Sequence, residues 1–180
     1  GTVRGESLSQ TKSAVTEALK DGVTAKEFET LKPRLVAQID LKRNLAQSLK
    51  SLTMMYELGR CIPGEISGKI EEEVVRQFLD AKIDADKLSD ADWKSVAEFI
   101  RSVTGLGEGE REPIAFHRPL GYLDRIRASS PSPKIGAVAL FAKVQAALVI
   151  DRTLNESPLE SKDRDAILTE IRNAPKEYAP

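Results

Sequence analysis

Apolar residues recur at intervals of three and four positions along most of this 180-residue chain, with polar residues between them. Such spacing places the apolar side chains on one side of an α-helix. No segment alternates apolar and polar residues over the length of a strand, and β-branched residues do not cluster between turn signals. The pattern therefore predicts an all-α protein.

The first two predicted helices carry clear boundary signals. Apolar positions between residues 8 and 19 define a first helix that ends at Gly22, because glycine is the residue most typical of helix C-termini. Thr24 and Glu27 have the spacing of a capping box, so a second helix should begin just after Thr24. Pro33 lies inside this second pattern, and we expect it to break or kink the helix.

Three further helices follow from the same reasoning. Beyond Pro33 the apolar spacing continues to about Leu58 and predicts a long amphipathic helix that Gly59 ends. Another helix should follow over residues 70–83. Ser89 has the sequence features of an N-cap for the helix after that one.

Residues 135–150 are almost continuously apolar and predict the most buried helix of the protein. This segment is shorter than the roughly 20 residues that a helix needs to cross a bilayer, and Lys143 adds a further cost there. We therefore expect no membrane insertion. The expected fold is an irregular bundle of six to seven helices around the central apolar helix 135–150.

The predicted domain organisation depends on residues 105–118. This stretch holds three glycines among several glutamates and has no helical pattern, which is typical of a linker. We expect a single helical domain over residues 1–180, or two subdomains, 7–104 and 119–174, joined by this loop. The last predicted helix, over residues 157–173, belongs to the second part. Because the chain begins with glycine, we expect it to be a fragment of a larger protein.

Charge and composition exclude several classes of function. The formal net charge is −1, so no global field attracts the chain to nucleic acid, and we expect no nucleic-acid partner. The charges are nevertheless uneven: residues 61–112 hold thirteen acidic and seven basic side chains, whereas residues 113–180 hold eight and ten. One cysteine and one histidine cannot form a multi-cysteine or paired-histidine metal site. The sequence predicts neither a metal nor a cofactor.

Two acidic clusters are better explained by favourable interaction with helix N-termini than by metal binding or catalysis. Asp84, Asp86, Asp90 and Asp92 lack the glycine and the glutamate that a calcium-binding loop requires. The run from Glu71 to Glu73 is interpreted as a solvated group near the start of a helix, where acidic residues are favoured by the helix dipole.

Cys61 is the weak candidate for a catalytic residue. It follows a basic residue in a predicted turn, and a neighbouring cation is one of the features that lower the pKa of a cysteine thiol. His117 is the only histidine that could serve as its base. No nucleophile elbow and no phosphate-binding glycine loop are present.

The best candidate binding stretch runs from residue 116 to residue 127 and combines aromatic, histidine and arginine side chains on a predicted loop and short helix. Tyrosine and arginine are favoured at protein interfaces because they join a large contact area with directional polar groups. The alternative is that the apolar members of the stretch close the core and the arginines are ordinary surface charges. The candidate binding residues are Phe116, His117, Arg118, Leu120, Gly121, Tyr122 and Arg125.

Three functional hypotheses remain open from the sequence. The leading one is a helical protein–protein interaction domain from a larger intracellular protein or a secreted effector, located in the cytoplasm or in the cytoplasm of a host cell. The second is a ubiquitin-ligase-type effector domain, a scaffold transferase that docks a carrier protein without a catalytic cysteine of its own. The third is a cysteine-dependent transferase that uses Cys61. The oligomeric state is not predicted.

Overall fold

The computed structural model of the protein describes residues 8–20, 22–62, 65–104 and 117–154, together with five residues between 165 and 173. Over these ranges the chain forms seven α-helices and one short 3₁₀ helix, with no β-strand, which confirms the all-α prediction. The helices are α1 (Leu8–Lys20), α2 (Ala25–Val36), α3 (Leu45–Cys61), α4 (Glu65–Asp80), the 3₁₀ helix (Ala85–Lys87), α5 (Asp90–Ser102), α6 (His117–Ser129) and α7 (Pro133–Leu154).

Two compact units divide the chain. The first comprises Gly1–Ala81 and Asp90–Phe99, and the second comprises Lys82–Ser89 and Ile100–Pro180. The first unit therefore contains α1 to α4 and most of α5, whereas the second contains the 3₁₀ helix, the end of α5, α6 and α7. The glycine- and glutamate-rich loop lies outside the described residues up to position 116, so a division of the domain at this loop stays a prediction.

The predicted end of α1 and the predicted start of α2 are confirmed. Gly22 has a φ of 85°, a left-handed conformation that glycine adopts without the penalty of a Cβ atom. The hydroxyl of Thr24 accepts a hydrogen bond of 3.2 Å from the backbone N–H of Glu27. The carboxylate of Glu27 accepts one of 3.1 Å from the backbone N–H of Thr24, which completes the capping box.

α2 and α3 are separate helices, so the prediction of one helix from Pro33 to Leu58 is wrong. α2 continues through Pro33 for three more residues before it ends. The carboxylate of Asp40 then accepts hydrogen bonds of 3.3 and 3.1 Å from two following backbone N–H groups and so forms a turn. Asn44 caps α3 because its side-chain oxygen accepts from the backbone N–H of Gln47.

α3 is the central helix of the first unit, where α1, α2 and α4 all pack against it. Neighbouring residues of a helix point in directions about 100° apart. Consecutive buried residues such as Met54 and Met55, or Leu58 and Gly59, therefore show that α3 is enclosed on more than one side. Phe78 of α4 and Phe99 of α5 stack in the same unit, with ring centroids 4.7 Å apart.

Gly59 is a packing residue of α3 and does not end the helix, which continues to Cys61. A Cβ atom on Gly59 would lie 2.6 Å from Cγ2 and 2.9 Å from Cβ of Ile70 on α4. Ordinary contacts between carbon atoms are about 3.5–4.0 Å long. The prediction that Gly59 terminates the helix is therefore wrong, since glycine is needed here for the close approach of α4.

The acidic run from Glu71 to Glu73 lies in the middle of α4, because that helix begins at Glu65. Glu71 is only 1% exposed, and its carboxylate accepts a hydrogen bond of 3.3 Å from the hydroxyl of Ser67. The interpretation of the whole run as solvated is therefore wrong at Glu71.

The predicted apolar helix 135–150 is confirmed as part of α7, which packs against α6 and the 3₁₀ helix within the second unit. Leu123 and Ile126 of α6 and Ile135 and Leu140 of α7 are buried there. Among the described helices, none combines the length and the hydrophobicity needed to cross a membrane. Most of the predicted helix 157–173 lies outside the described residues.

Candidate functional site

The candidate binding stretch forms the first half of α6, a continuous helix that begins at His117. Pro119 is compatible with this helix because it occupies the third position, where a backbone N–H has no partner within the helix. The predicted helix after the loop is therefore confirmed, but the prediction that the loop extends to residue 118 is wrong at residues 117 and 118. Phe116 and the side chain of His117 lie outside what the structure describes.

Burial separates the remaining candidate residues into two groups. Leu120 and Tyr122 are 7% and 5% exposed, so they contribute to the core of the second unit. Arg118, Gly121 and Arg125 are exposed. Their spacing of three and then four residues places them together on one side of α6.

This exposed side of α6 continues at Ala128, which is also exposed and lies seven residues beyond Gly121. We call the four residues Arg118, Gly121, Arg125 and Ala128 the α6 surface. It combines two arginines with two small residues, and the members of each pair are about two helical turns, or about 10 Å, apart. The exposed Asp124 lies on the same side of the helix, between Gly121 and Ala128. The α6 surface therefore has two positions with a small or absent side chain, Gly121 and Ala128, and two positions with an arginine, Arg118 and Arg125.

Gly121 has no role in packing that the described residues reveal. A Cβ atom placed on it would have no described atom within 4 Å. Glycine within a helix costs roughly 0.5–1 kcal/mol relative to alanine, because it loses more conformational freedom on folding. Unlike Gly59, Gly121 therefore lowers the stability of its helix without relieving any described steric conflict.

The sequence of α6 and its flanking residues is locally basic. Residues 113–150 contain five lysine or arginine side chains and a single acidic one, Asp124. Lys143 of α7 donates a hydrogen bond of 2.8 Å to the carboxylate of Asp124. The Lys143 side chain is 17% exposed and that of Asp124 is 51% exposed, so this ion pair is shielded from solvent on the Lys143 side only.

Cys61 is an exposed cysteine that forms no disulfide, and it occupies the last position of α3 in the first unit. Its proposed base, His117, belongs to the second unit and has no described side chain. The catalytic role of Cys61 therefore stays a prediction.

The aspartates between residues 84 and 92 include helix-capping groups. The carboxylate of Asp84 accepts a hydrogen bond of 3.2 Å from the backbone N–H of Asp86 at the start of the 3₁₀ helix. α5 begins directly after Ser89, where the sequence predicts an N-cap. Within the described part of the chain, no three histidine, cysteine or acidic side chains are grouped so that they could hold a metal ion.

A polar cleft of about 390 Å³ between the end of α2 and the start of α3 was not predicted. Its amide side chains form a hydrogen-bonded series that reaches α1. Gln38 donates to the hydroxyl of Thr11 at 2.6 Å, Gln47 donates to Gln38 at 3.4 Å, and Asn44 donates to Gln47 at 2.6 Å. The cleft is lined by Arg34, Ala37, Gln38, Asp40, Arg43, Asn44 and Gln47.

The hydrogen bonds of the cleft explain its polar lining. They join α1, the turn after α2 and the first turn of α3, and the hydroxyl of Ser48 further accepts a bond of 2.7 Å from the backbone N–H of Asp40. The signal in the sequence was the polar run of Lys42, Arg43 and Asn44 between Leu41 and Leu45. These contacts give the cleft amides a structural function at the junction of three helices.

Comparison of the chain with protein-family models, with curated proteins and with solved structures found no match.

Proposed function

We propose that this chain is a helical protein-interaction domain that binds a protein partner through the α6 surface. Gly121 is the observation that carries the proposal. An exposed glycine within a helix lowers stability, and no described neighbour requires it. A partner that approaches the helix closely at this point would require it, because any side chain would hold the two surfaces apart.

The surroundings of Gly121 support the same function. Interface energy is concentrated in a few residues, and arginine is among those enriched at such positions. Arg118 and Arg125 flank Gly121 on the exposed side of α6, while Leu120 and Tyr122 are buried and attach the helix to the core of the second unit. We place this activity in the cytoplasm, or in the cytoplasm of a host cell for a secreted effector.

Site-specific photo-crosslinking tests the proposal. A photoreactive phenylalanine analogue replaces Gly121 in one protein and Gln145 in a control, because Gln145 is an exposed residue of another helix, α7. Each protein is irradiated in an extract of its source cells. We expect a discrete adduct from position 121 that is absent from position 145.

Competition makes this experiment specific. Excess unlabelled wild-type protein should abolish the adduct, whereas excess Gly121→Arg protein should not, although the variant should fold because the space around Gly121 is open. Circular dichroism of the variant checks its folding. Equal adducts from both positions, or equal competition by a folded Gly121→Arg protein, would remove the α6 surface as the binding site.

A further inference from the structure

We infer that the polar cleft between α2 and α3 is a binding site for a small organic anion, which it holds through a carboxylate or phosphate group. All the residues that line the cleft belong to the first unit, so this site goes beyond the interaction function proposed for α6. Small-molecule sites have volumes of roughly 300–1,000 Å³. With a volume of about 390 Å³, the cleft is large enough for one small ligand.

The amide side chains of the cleft retain hydrogen-bond donors. The side-chain oxygens of Gln38, Asn44 and Gln47 each accept a hydrogen bond, from the Gln47 amide, the Gln47 backbone N–H and the Asn44 amide, respectively. Each of the three amide nitrogens donates one hydrogen bond, although each carries two hydrogens. One N–H of each amide is therefore not used by any described residue and is available to a ligand.

Arg43 supplies a positive charge to the cleft. Its guanidinium group forms no hydrogen bond or ion pair with any residue that the structure describes. The acidic residue of the lining is Asp40, and one of its carboxylate oxygens accepts hydrogen bonds from the backbone N–H groups of Lys42 and Arg43. Arg34 adds a second guanidinium group to the lining, but the proposed site does not require Arg34 to be unpaired.

These groups together favour an anionic ligand over a neutral or a cationic one. Guanidinium and amide N–H groups donate hydrogen bonds, whereas ionised carboxylate and phosphate oxygens accept them. The residues of the lining carry two positive formal charges and one negative one. Because the amides are hydrogen-bonded to each other and to Thr11, they are ordered before a ligand enters, which lowers the entropic cost of binding.

An NMR titration of isotope-labelled protein at constant pH and ionic strength tests the site. The probes are citrate, which carries carboxylates, and glycerol phosphate, which carries a phosphate group, and glycerol is the neutral control. The side-chain N–H signals of Arg43, Asn44 and Gln47 report on the cleft directly. We expect at least one of the two anions to shift these signals to saturation with a Kd below about 1 mM, and glycerol to leave them unchanged.

Three variants connect the affinity to the cleft. Arg43→Gln should weaken binding at least about fivefold, because a charge-assisted hydrogen bond is lost. Lys42→Gln makes the same change in net charge at the neighbouring exposed residue, which is not part of the lining, and it should change affinity less than about twofold. Asn44→Asp keeps a good N-cap for α3 but replaces a donor with a negative charge, so it should weaken binding at least about tenfold. Circular dichroism checks that each variant is folded.

The possible results either support the inference or overturn it. Saturable binding of an anion that depends on Arg43 and Asn44 supports it. Shifts that increase without saturation, or equal losses of affinity in Arg43→Gln and Lys42→Gln, would show only nonspecific attraction to exposed cations and would overturn it, as would cleft signals that neither anion changes. Because none of these variants alters α6, the crosslink from residue 121 tests the interaction function independently.

Discussion

Replacing Gly59 by alanine tests how closely α3 and α4 approach each other. The added Cβ atom would lie 2.6 Å from Cγ2 of Ile70, about 1 Å closer than an ordinary carbon–carbon contact. A second overlap, 2.9 Å from Cβ of Ile70, cannot be removed by rotation of the Ile70 side chain. The two helices must therefore move apart or deform.

The expected magnitude follows from two opposing effects. Overpacking of a well-packed core costs typically 1–3 kcal/mol, and the fixed position of the Ile70 Cβ atom favours the upper part of this range, roughly 2–3 kcal/mol. Alanine is favoured over glycine within a helix by about 1 kcal/mol. We therefore expect Gly59→Ala to lower the free energy of unfolding by about 1–2 kcal/mol.

Urea unfolding followed by circular dichroism measures this change, and fluorescence of Trp93 reports on the first unit. Gly121→Ala is the matched control, because its Cβ atom meets no described atom within 4 Å. It should raise the free energy of unfolding by roughly 0.5–1 kcal/mol. The same chemical change is thus expected to have opposite signs at the two glycines.

A double-mutant cycle identifies Ile70 as the cause. Ile70→Ala removes the Cγ2 atom that overlaps most strongly, so Gly59→Ala should cost less in that background, with a coupling of about 0.5–3 kcal/mol. A stabilising effect of Gly59→Ala in the wild-type background would refute the close approach of the helices. Absence of coupling to Ile70 would show that the destabilisation has another origin.

Three further predictions concern stability and ionisation. Thr24→Ala should lower the free energy of unfolding by about 0.5–2 kcal/mol because it removes the capping box, whereas Thr30→Ala on the exposed side of α2 should leave it nearly unchanged in the same urea titration. Leu140→Ala should cost about 2–5 kcal/mol, since the side chain is 4% exposed, and a loss below about 1 kcal/mol would show that α7 is not part of the core. Hydrogen bonds from Arg76 hold the pKa of Glu73 below its ordinary value of 4.5. This pair should therefore stabilise the fold at neutral pH and lose its contribution as the pH falls through the folded-state pKa of Glu73. An NMR titration of Arg76→Gln should show a higher pKa for Glu73 than in the wild-type protein. An unchanged pKa would contradict the conclusion that Arg76 lowers it.

Helix boundaries were predictable where their signals are local. Thr24 and Glu27 are three residues apart, and both halves of their capping box depend only on that spacing. The helix end at Gly22 likewise depends only on the left-handed backbone conformation of that residue. The turn at Asp40 was missed because apolar residues on both sides happen to keep the helical spacing, while the polar contacts that form the turn lie between them.

The roles of residues whose neighbours come from distant parts of the chain could not be predicted from the sequence. Gly59 has the sequence signature of a helix end, but its role is set by Ile70 on another helix. Glu71 belongs to an acidic run that the sequence predicts to be exposed to solvent, yet its side chain is buried. At the candidate site the sequence could not separate Leu120 and Tyr122, which are buried, from the exposed arginines.

The affinity of Gly121→Ala for the partner recovered by crosslinking tests the central proposal most directly. The variant should be more stable than the wild-type protein, so weaker binding could not be attributed to unfolding. If a partner approaches α6 closely at this residue, the added methyl group should weaken binding at least about fivefold, as overpacking of a tight interface does. A more stable variant that binds as tightly as the wild-type protein would contradict the proposal that Gly121 marks the interaction surface.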